Sequence, residues 1–254
     1  MNLETIAAQM YTLREFTQTP EGLRDAFQKL KDIGYKAVQI SGIGPIDPGL
    51  VKQYADEAGL TICATHVPWD RLVNDLDNLA EEHKLWNCKY VGLGSLPGEY
   101  QSSLAGYRDF VKQASEIAHT LKEKHGLQFI YHNHDFEFTK FEGITALDAM
   151  LQETDPDVFG FELDLYWVQA GGGNPAEWVR KVEGRMGVVH LKDMAIVDRH
   201  QVFAEIGEGN MNYKAIVEVC RATGVEWFVV EQDVCRRNPF ESLEISYKYL
   251  TSLL

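Results

Sequence analysis

One pattern dominates the sequence: a short apolar run followed by a longer amphipathic stretch, repeated eight times at about 30 residues per unit. Strands that alternate with helices form parallel sheets joined by crossovers, and eight such units in 254 residues fit a (β/α)8 barrel, the TIM barrel. A doubly wound open sheet is the alternative, but no GxGxxG motif follows the first apolar run, where a nucleotide-binding sheet carries it. We therefore expect one α/β barrel domain over residues 1–254.

The apolar runs and the amphipathic stretches between them predict the individual elements. Strands are expected at 6–11, 36–40, 61–66, 89–93, 127–132, 160–164, 187–191 and 227–231. The first helix is expected to begin at Thr19-Pro20, a capping hydroxyl followed by proline at the first helical position, and to end at Gly34. Further helices are expected at 49–58, 71–85, 100–124, 144–153, 175–181, 212–223 and 238–253.

Charge and composition exclude several classes of partner. The formal net charge is −14, and a surface this acidic repels both nucleic-acid phosphates and anionic membranes. No apolar run approaches the roughly 20 residues of a membrane span, and residues 1–16 lack the basic and apolar regions of a signal peptide. We therefore expect a cytoplasmic protein without nucleic-acid or membrane partners. The four cysteines show no CxxC spacing and are expected to be reduced.

Polar side chains end several of the predicted strands. In a parallel barrel the functional residues lie at the carboxyl ends of the strands. Because side chains alternate between the two faces of a strand, His132 and His134 point the same way, as do Glu162 and Asp164, and His190 and Lys192. The residues at these ends are His66, His132, His134, Glu162, Asp164, His190, Lys192 and Glu231.

Four of these side chains predict a metal site. Asp164, His190 and Glu231 converge from three adjacent strands, and His132 joins from a fourth. A histidine and carboxylate set without cysteine suits Mn²⁺, Co²⁺, Zn²⁺ or Mg²⁺. A single histidine here is more often hydrogen-bonded than a ligand, and a single aspartate is often a helix cap. It is the convergence of four strands that favours the metal.

Other polar and aromatic side chains near the strand ends have two interpretations each. His66, His134 and Asp193 suit ligand binding and structural hydrogen bonding equally well. Trp69 and Trp167 suit either packing or a wall on which a sugar stacks. His83 is expected at a surface or helix position, and residues 207–212 are expected to form a tight loop before a helix.

Five segments between Phe129 and Pro239 resemble a known family. They read FIYHNHDFEF, GFELDLYWVQAGGGNP, VVHLKDM, EIGEGNMNY and WFVVEQD. In this order and spacing they resemble the xylose isomerase-like TIM barrels, the group that contains sugar phosphate isomerases and epimerases. The second half is especially similar to inosose dehydratases. The resemblance covers essentially the whole chain.

The resemblance implies a metal held by one residue from each of the last four strands. Family members use Glu, Asp, His and Glu, and Asp164, His190 and Glu231 match the last three. The first position departs, because His132 stands where many members have glutamate. A second departure is Trp167, which stands where many members have a histidine. Imidazole also binds metals, so a divalent ion is still expected, Mn²⁺ first and Co²⁺, Mg²⁺ or Zn²⁺ otherwise.

The resemblance also implies an activity. We expect a sugar isomerase or epimerase that removes a proton α to the carbonyl of a keto sugar through a metal-stabilised enediolate. Glu231 or His132 is the candidate base, and Lys192 is the candidate group that donates a proton or binds an oxyanion. The candidate substrate-binding residues are His66, Trp69, His134, Glu162 and Trp167. The expected partner is a small carbohydrate or cyclitol without phosphate, since no glycine-rich phosphate loop stands out, and a homo-oligomer is expected from the family.

Three other functions stay open. A lyase of the same barrel, dehydrating an inosose or eliminating the aglycone of a 3-keto-glycoside, would share the enediolate. A DNA-repair endonuclease has the same fold but needs a basic face, which a charge of −14 opposes. A sugar-binding barrel without catalysis is the third, and the intact Asp164, His190 and Glu231 oppose it.

Overall fold

Eight parallel strands close into a barrel in which each strand lies beside its neighbour in the chain and the last pairs with the first. The computed structural model describes residues 1–254. The strands are β1 Ile6–Gln9, β2 Ala37–Ile40, β3 Thr61–His66, β4 Tyr90–Leu93, β5 Gln128–His132, β6 Phe159–Asp164, β7 Val188–Leu191 and β8 Trp227–Val230. The (β/α)8 barrel predicted from the eightfold pattern is confirmed.

Ten α-helices surround the barrel. They are α1 Pro20–Ile33, α2 Pro48–Ala58, α3 Trp69–Asn74, α4 Leu76–Leu85, α5 Leu104–Thr120, α6 Ala146–Glu153, α7 Leu165–Ala170, α8 Pro175–Lys181, α9 Tyr213–Ala222 and α10 Pro239–Thr251. The Thr19 side chain caps α1 as predicted, accepting a hydrogen bond from the Gly22 amide. None of the helices combines the length and apolarity that a membrane crossing needs.

Two helix predictions were wrong in detail, and one further helix was missed. The predicted helix 71–85 is two helices, because Asp75 leaves the helical conformation at φ −139° and its carboxylate accepts hydrogen bonds from Arg71 and Asn78. Aspartate often prefers such local bonds to a helix interior. The predicted helix 100–124 begins later, where Ser103 caps α5, and ends in a π turn over Leu121–His125. The short helix α7 was not predicted at all.

Two hairpins lie outside the barrel, and neither was predicted. One pairs Lys140–Phe141 with Ile144–Thr145, and the other pairs Asp193–Val197 with His200–Ala204. The second turns through Asp198 and Arg199, both at positive φ, 49° and 66°. Tight hairpins favour such dihedrals, but asparagine and glycine are their usual signal, and an Asp-Arg pair lacks the glycine.

The barrel interior is filled with side chains at its amino-terminal and middle levels. Period-two alternation sends one set of strand residues into the barrel and the other outward against the helices. The inner cluster consists of Ala7, Ala37, Cys63, Ala64, Tyr90, Ile130, Val188 and Val229. A much larger outer cluster lies between strands and helices. The carboxyl end of the barrel is therefore the end where polar side chains are free to meet.

His83 was predicted at a surface or helix position, and it lies on the helix α4 with its side chain fully buried. Its Nδ1 lies 2.7 Å from the Leu79 carbonyl oxygen and its Nε2 lies 2.8 Å from the Thr65 hydroxyl. A neutral ring satisfies both, with Nδ1 donating and Nε2 accepting. Burial lowers the pKa of His83 from 6.5 to about 4.

This buried ring predicts a pH-dependent stability. Between pH 6.5 and 4 the unfolded chain binds a proton at His83 that the folded chain does not, so the folded state loses stability as the pH falls. His83→Gln removes this pH-dependent contribution to the free energy of unfolding. The difference in the free energy of unfolding between wild type and variant should shrink by about 2 kcal/mol from pH 7 to pH 5. Urea titrations measure it, with His200→Gln at an exposed position as control, and a constant difference would contradict the buried neutral ring.

Candidate functional site

Four side chains from four neighbouring strands meet at the carboxyl end of the barrel. His132 ends β5, Asp164 ends β6, His190 lies in β7, and Glu231 follows β8. One ligand atom from each lies within 4.8 Å of those of the others, and all four residues are buried. The structure thus brings together the four residues that the sequence analysis assigned to a metal.

Hydrogen bonds on the far sides of the two rings orient their nitrogens. His132 Nδ1 lies 3.1 Å from the Gly94 carbonyl oxygen, and His190 Nε2 lies 2.7 Å from Gln39 Oε1. Gln39 in turn donates from Nε2 to Glu162 Oε1 at 2.9 Å, which fixes the orientation of its amide. These bonds leave His132 Nε2 and His190 Nδ1 facing the cluster. Without a metal, His190 Nδ1 donates to Glu231 Oε2 at 3.2 Å, and a bound ion would replace that proton. Carbonyl partners of this kind commonly set the tautomer of metal-binding histidines.

Two atoms of the cluster are buried without a hydrogen-bond partner. They are His132 Nε2 and Asp164 Oδ2, which lie 3.5 Å apart. The other carboxylate oxygen of Asp164 is used locally, because Oδ1 accepts hydrogen bonds from the amides of Tyr166 and Trp167 and so caps α7. Buried polar atoms are normally paired, so the free His132 Nε2 beside a carboxylate oxygen that is held only by the Lys192 ammonium group suits a bound ion.

Lys192 and Asp233 complete the charges around the cluster. The fully buried Lys192 Nζ lies 3.0 Å from Asp164 Oδ2 and 2.8 Å from Glu231 Oε2, and it contacts Asp233. Three carboxylates share one ammonium group, so the neighbourhood attracts further positive charge. Burial acts to lower the pKa of His190, but the charges of Glu162 and Glu231 outweigh it and raise that pKa to about 10.

The donor set fits a divalent metal. Two imidazole nitrogens and two carboxylates are ligands that Mn²⁺, Co²⁺ and Zn²⁺ accept. The excess negative charge and the unpaired nitrogen of His132 also favour a bound cation. These side chains therefore match a divalent ion in both charge and ligand type.

The environment of Lys192 corrects one expectation. The sequence suggested that its ammonium group faces the substrate as a proton donor. Instead, Lys192 is fully buried, is held by Asp164, Glu231 and Asp233, and does not line the cavity above the cluster. Its position is that of a residue that neutralises and orients the carboxylates.

Glu162 also differs from its predicted role in substrate binding. It is fully buried, accepts a hydrogen bond from Gln39, contacts His66 Nε2, and lies 3.4 Å from His190 Nε2. Burial alone would raise the pKa of Glu162, but the charges of His190 and His66 lower it below the ordinary range. These contacts allow Glu162 to orient the His66 and His190 rings, and the three side chains form a second group whose ligand atoms lie within 4.8 Å of one another.

A cavity of about 1110 Å³ opens above the cluster. His66, Trp69 and His134 line it, together with His132 and Glu231. Trp167 was also expected to bind substrate, but it does not line this cavity. Its ring packs against Phe203 of the second hairpin, with centroids 5.7 Å apart, and against His134, and its buried Nε1 has no partner.

Sequence reasoning missed several positioning groups. Gln39 ends β2 on the inner face, and a buried polar residue at a strand end was the available signal. The role of the Gly94 carbonyl could not be predicted from the sequence, because every residue has a backbone carbonyl group. Asp193 is structural, since its carboxylate accepts hydrogen bonds from the amides of Gly207, Gly209 and Met211 and anchors the predicted tight loop.

Comparison with known proteins places the barrel in a family. The family model for the xylose isomerase-like TIM barrel matches residues 27–252. Inosose dehydratase from Geobacillus thermodenitrificans (strain NG80-2) is 30% identical over 139 residues, which cover 48% of this chain and 46% of that enzyme. The chain thus spans about half the length of this curated relative.

Solved structures of similar fold cover almost the whole chain. A sugar phosphate isomerase/epimerase from Parabacteroides distasonis ATCC 8503 has a TM-score of 0.80 and 25% identity, over 96% of both chains. The IolI protein, crystallised with a zinc atom, has a TM-score of 0.74 and 15% identity, over 98% of this chain and 97% of that one. The second likeness shows the fold. With its closed barrel and a family model that matches residues 27–252, the chain belongs to the xylose isomerase-like TIM barrel family.

Proposed function

We propose that this chain is a divalent-metal-dependent sugar isomerase or epimerase that removes a proton α to the carbonyl of a keto sugar or keto-cyclitol. The observation that carries the proposal is the buried cluster of His132, Asp164, His190 and Glu231, with its unpaired His132 nitrogen, below an open cavity. The zinc of the IolI protein, a barrel of the same fold, supports a metal here. Mn²⁺, Co²⁺ and Zn²⁺ suit the ligands best.

A divalent ion held by these four residues would act as a Lewis acid and stabilise negative charge that develops on the substrate. The protein side chains supply the proton transfer. Glu231 lines the cavity, and its Oε2 is held by His190 and Lys192, which leaves Oε1 as the oxygen able to take a proton. His132 is tied to Gly94 through one nitrogen and faces the cluster with the other, so we assign it to the metal and the base to Glu231.

The charges of the cavity favour a substrate without phosphate. Arg71 is the single cationic side chain in the lining, and it is already paired with Asp75 and Glu82. The acidic lining residues Asp47, Glu82, Glu231 and Asp233 repel a dianion. We therefore propose a neutral keto sugar as the substrate.

A lyase activity is the second candidate, because the curated relative is an inosose dehydratase. Removal of the same α-proton, followed by loss of a β-hydroxyl or β-glycosidic oxygen, would give an unsaturated ketone. The first step and its residues are shared, so the fate of the substrate after proton loss distinguishes the two activities.

Proton NMR in D₂O tests the proposal. The protein is stripped with EDTA, reloaded with Mg²⁺ or Zn²⁺, and mixed with a panel of keto sugars, inososes and 3-keto-glycosides. We expect deuterium at the α-carbon only with metal present. A product that has lost no part of the substrate indicates an isomerase or epimerase. Loss of water or of the aglycone indicates a lyase. Absence of exchange from every substrate with the metal-loaded protein would contradict the proposal.

A further inference from the structure

The cavity above the cluster extends well beyond the barrel mouth. Its lining includes residues of the outer helices α2 and α4, and of the loops that follow β2, β3 and β4. On the opposite side, the second hairpin covers the mouth, where Phe203 packs on Tyr166 with ring centroids 4.5 Å apart. A ligand at the cluster therefore has room toward α2 and α4.

This extension is walled mainly by apolar side chains. We call it the apolar arm and define it by six lining residues: Ile43, Pro45, Ile46, Pro48, Val51 and Trp86. The Trp86 Nε1 donates to the Pro48 carbonyl at 2.9 Å, which holds the indole against the start of α2. Two proline rings and an indole give the arm flat, rigid surfaces, which suit a flat apolar group better than a hydrated sugar ring.

The polar groups beside the arm are already satisfied. Arg71 makes two hydrogen bonds of 2.9 Å to the Glu82 carboxylate and binds Asp75 as well. These groups therefore offer little to a sugar hydroxyl or a phosphate. The arm's contribution to binding is apolar contact.

The size of the cavity also exceeds the needs of a monosaccharide. Cavities of about 300–1,000 Å³ are typical of drug-sized ligands, and this one measures about 1110 Å³. We infer that the site accepts a keto sugar that carries an aryl substituent, with the sugar at the cluster and the aryl group in the apolar arm. The inference rests on the proposed function, since it specifies the substrate class of that same site.

A matched pair of ligands tests it: the methyl and the phenyl 3-keto-β-glucoside, which share the keto sugar and differ in the aglycone. Calorimetry with the metal-loaded protein gives Kd for each, and NMR in D₂O gives α-proton exchange. Burial of the phenyl ring should make its Kd at least about 10-fold lower than that of the methyl compound. Equal Kd values, with exchange from both, would overturn the inference and leave the proposed function standing.

Two variants locate the effect in the arm. Ile43 and Ile46 are half-buried lining residues, and Ile43→Asn and Ile46→Asn should each reduce the phenyl preference, measured as the ratio of the two Kd values. Leu3→Asn, at an exposed position before β1 and outside the cavity lining, is the matched control and should retain the preference. A preference that survives in both arm variants would overturn the inference. Lack of exchange from both ligands and from the rest of the substrate panel would overturn the proposed function, and the Kd ratio would still decide the role of the arm.

Discussion

Replacing Asp164 by asparagine is expected to remove the bound divalent metal and to lower turnover at least about 100-fold, without unfolding the barrel. Asparagine keeps the Oδ1 atom that accepts hydrogen bonds from the Tyr166 and Trp167 amides, so the cap of α7 survives. What is lost is the negative charge on Oδ2, the oxygen that faces His132. Elemental analysis after dialysis gives the metal content, and α-proton exchange gives the turnover.

Comparison with two alanine variants separates the ligand from the cap. Asp164→Ala also loses the cap and should cost a further ~1 kcal/mol of stability. Asn212→Ala removes only a cap, since Asn212 Oδ1 accepts from the Ala215 amide at the start of α9, and it should keep both metal and turnover. Full metal content and full turnover in Asp164→Asn would show that the metal centre lies elsewhere.

Lys192→Met is expected to produce the largest loss of stability in the metal-free protein, about 3–5 kcal/mol. Methionine matches lysine as far as Cε but lacks the ammonium group, so Asp164, Glu231 and Asp233 lose their shared counter-charge and only His190 remains as a cation beside them. A divalent ion restores that counter-charge. The rise in melting temperature on adding Mn²⁺ should therefore be larger in the variant than in wild type.

A surface lysine is the control for this substitution. Lys84 pairs with Glu81 at 2.8 Å on the exposed face of α4, and Lys84→Met should change stability by less than about 1 kcal/mol. It should also leave the effect of Mn²⁺ unchanged. A Lys192→Met protein that is as stable as wild type in EDTA, or that gains no more from Mn²⁺, would contradict the neutralising role of Lys192.

The barrel was predictable because the sequence pattern that indicates it, a short apolar run followed by an amphipathic stretch, occurs eight times. Each strand is a short buried run, and several ends were evident from single residues, such as the Thr19 cap of α1. The break at Asp75 was not, because it depends on Arg71 binding that carboxylate and Glu82 together. The hairpin over Asp193–Ala204 was missed because Asp198 and Arg199 adopt positive φ without the usual turn residues.

The candidate site was predictable for a different reason. Strand ends meet at one face of a barrel whatever the helices do, so four polar strand ends implied the cluster of His132, Asp164, His190 and Glu231. The alternation of side chains along a strand predicted the face on which Lys192 lies, but not how deeply its side chain is buried. That lysine bends into the carboxylates, where three negative charges offset its burial.

The apolar arm was outside the reach of sequence reasoning. Its walls come from a loop after β2 and from the distant Trp86, and only the packing of α2 against α4 brings them together. Apolar residues in loops carry no periodic signal, and their exposure to a cavity depends on tertiary contacts.

Anomalous diffraction at the manganese edge, from crystals grown with Mn²⁺, tests the metal centre most directly. We expect one strong peak in contact with four atoms: His132 Nε2, a carboxylate oxygen of Asp164, His190 Nδ1 and a carboxylate oxygen of Glu231. The Lys192 ammonium should then lie beside the carboxylates and outside the contact sphere of the ion. A peak that lacks His132, or a map with no peak among these four side chains, would contradict the proposed centre.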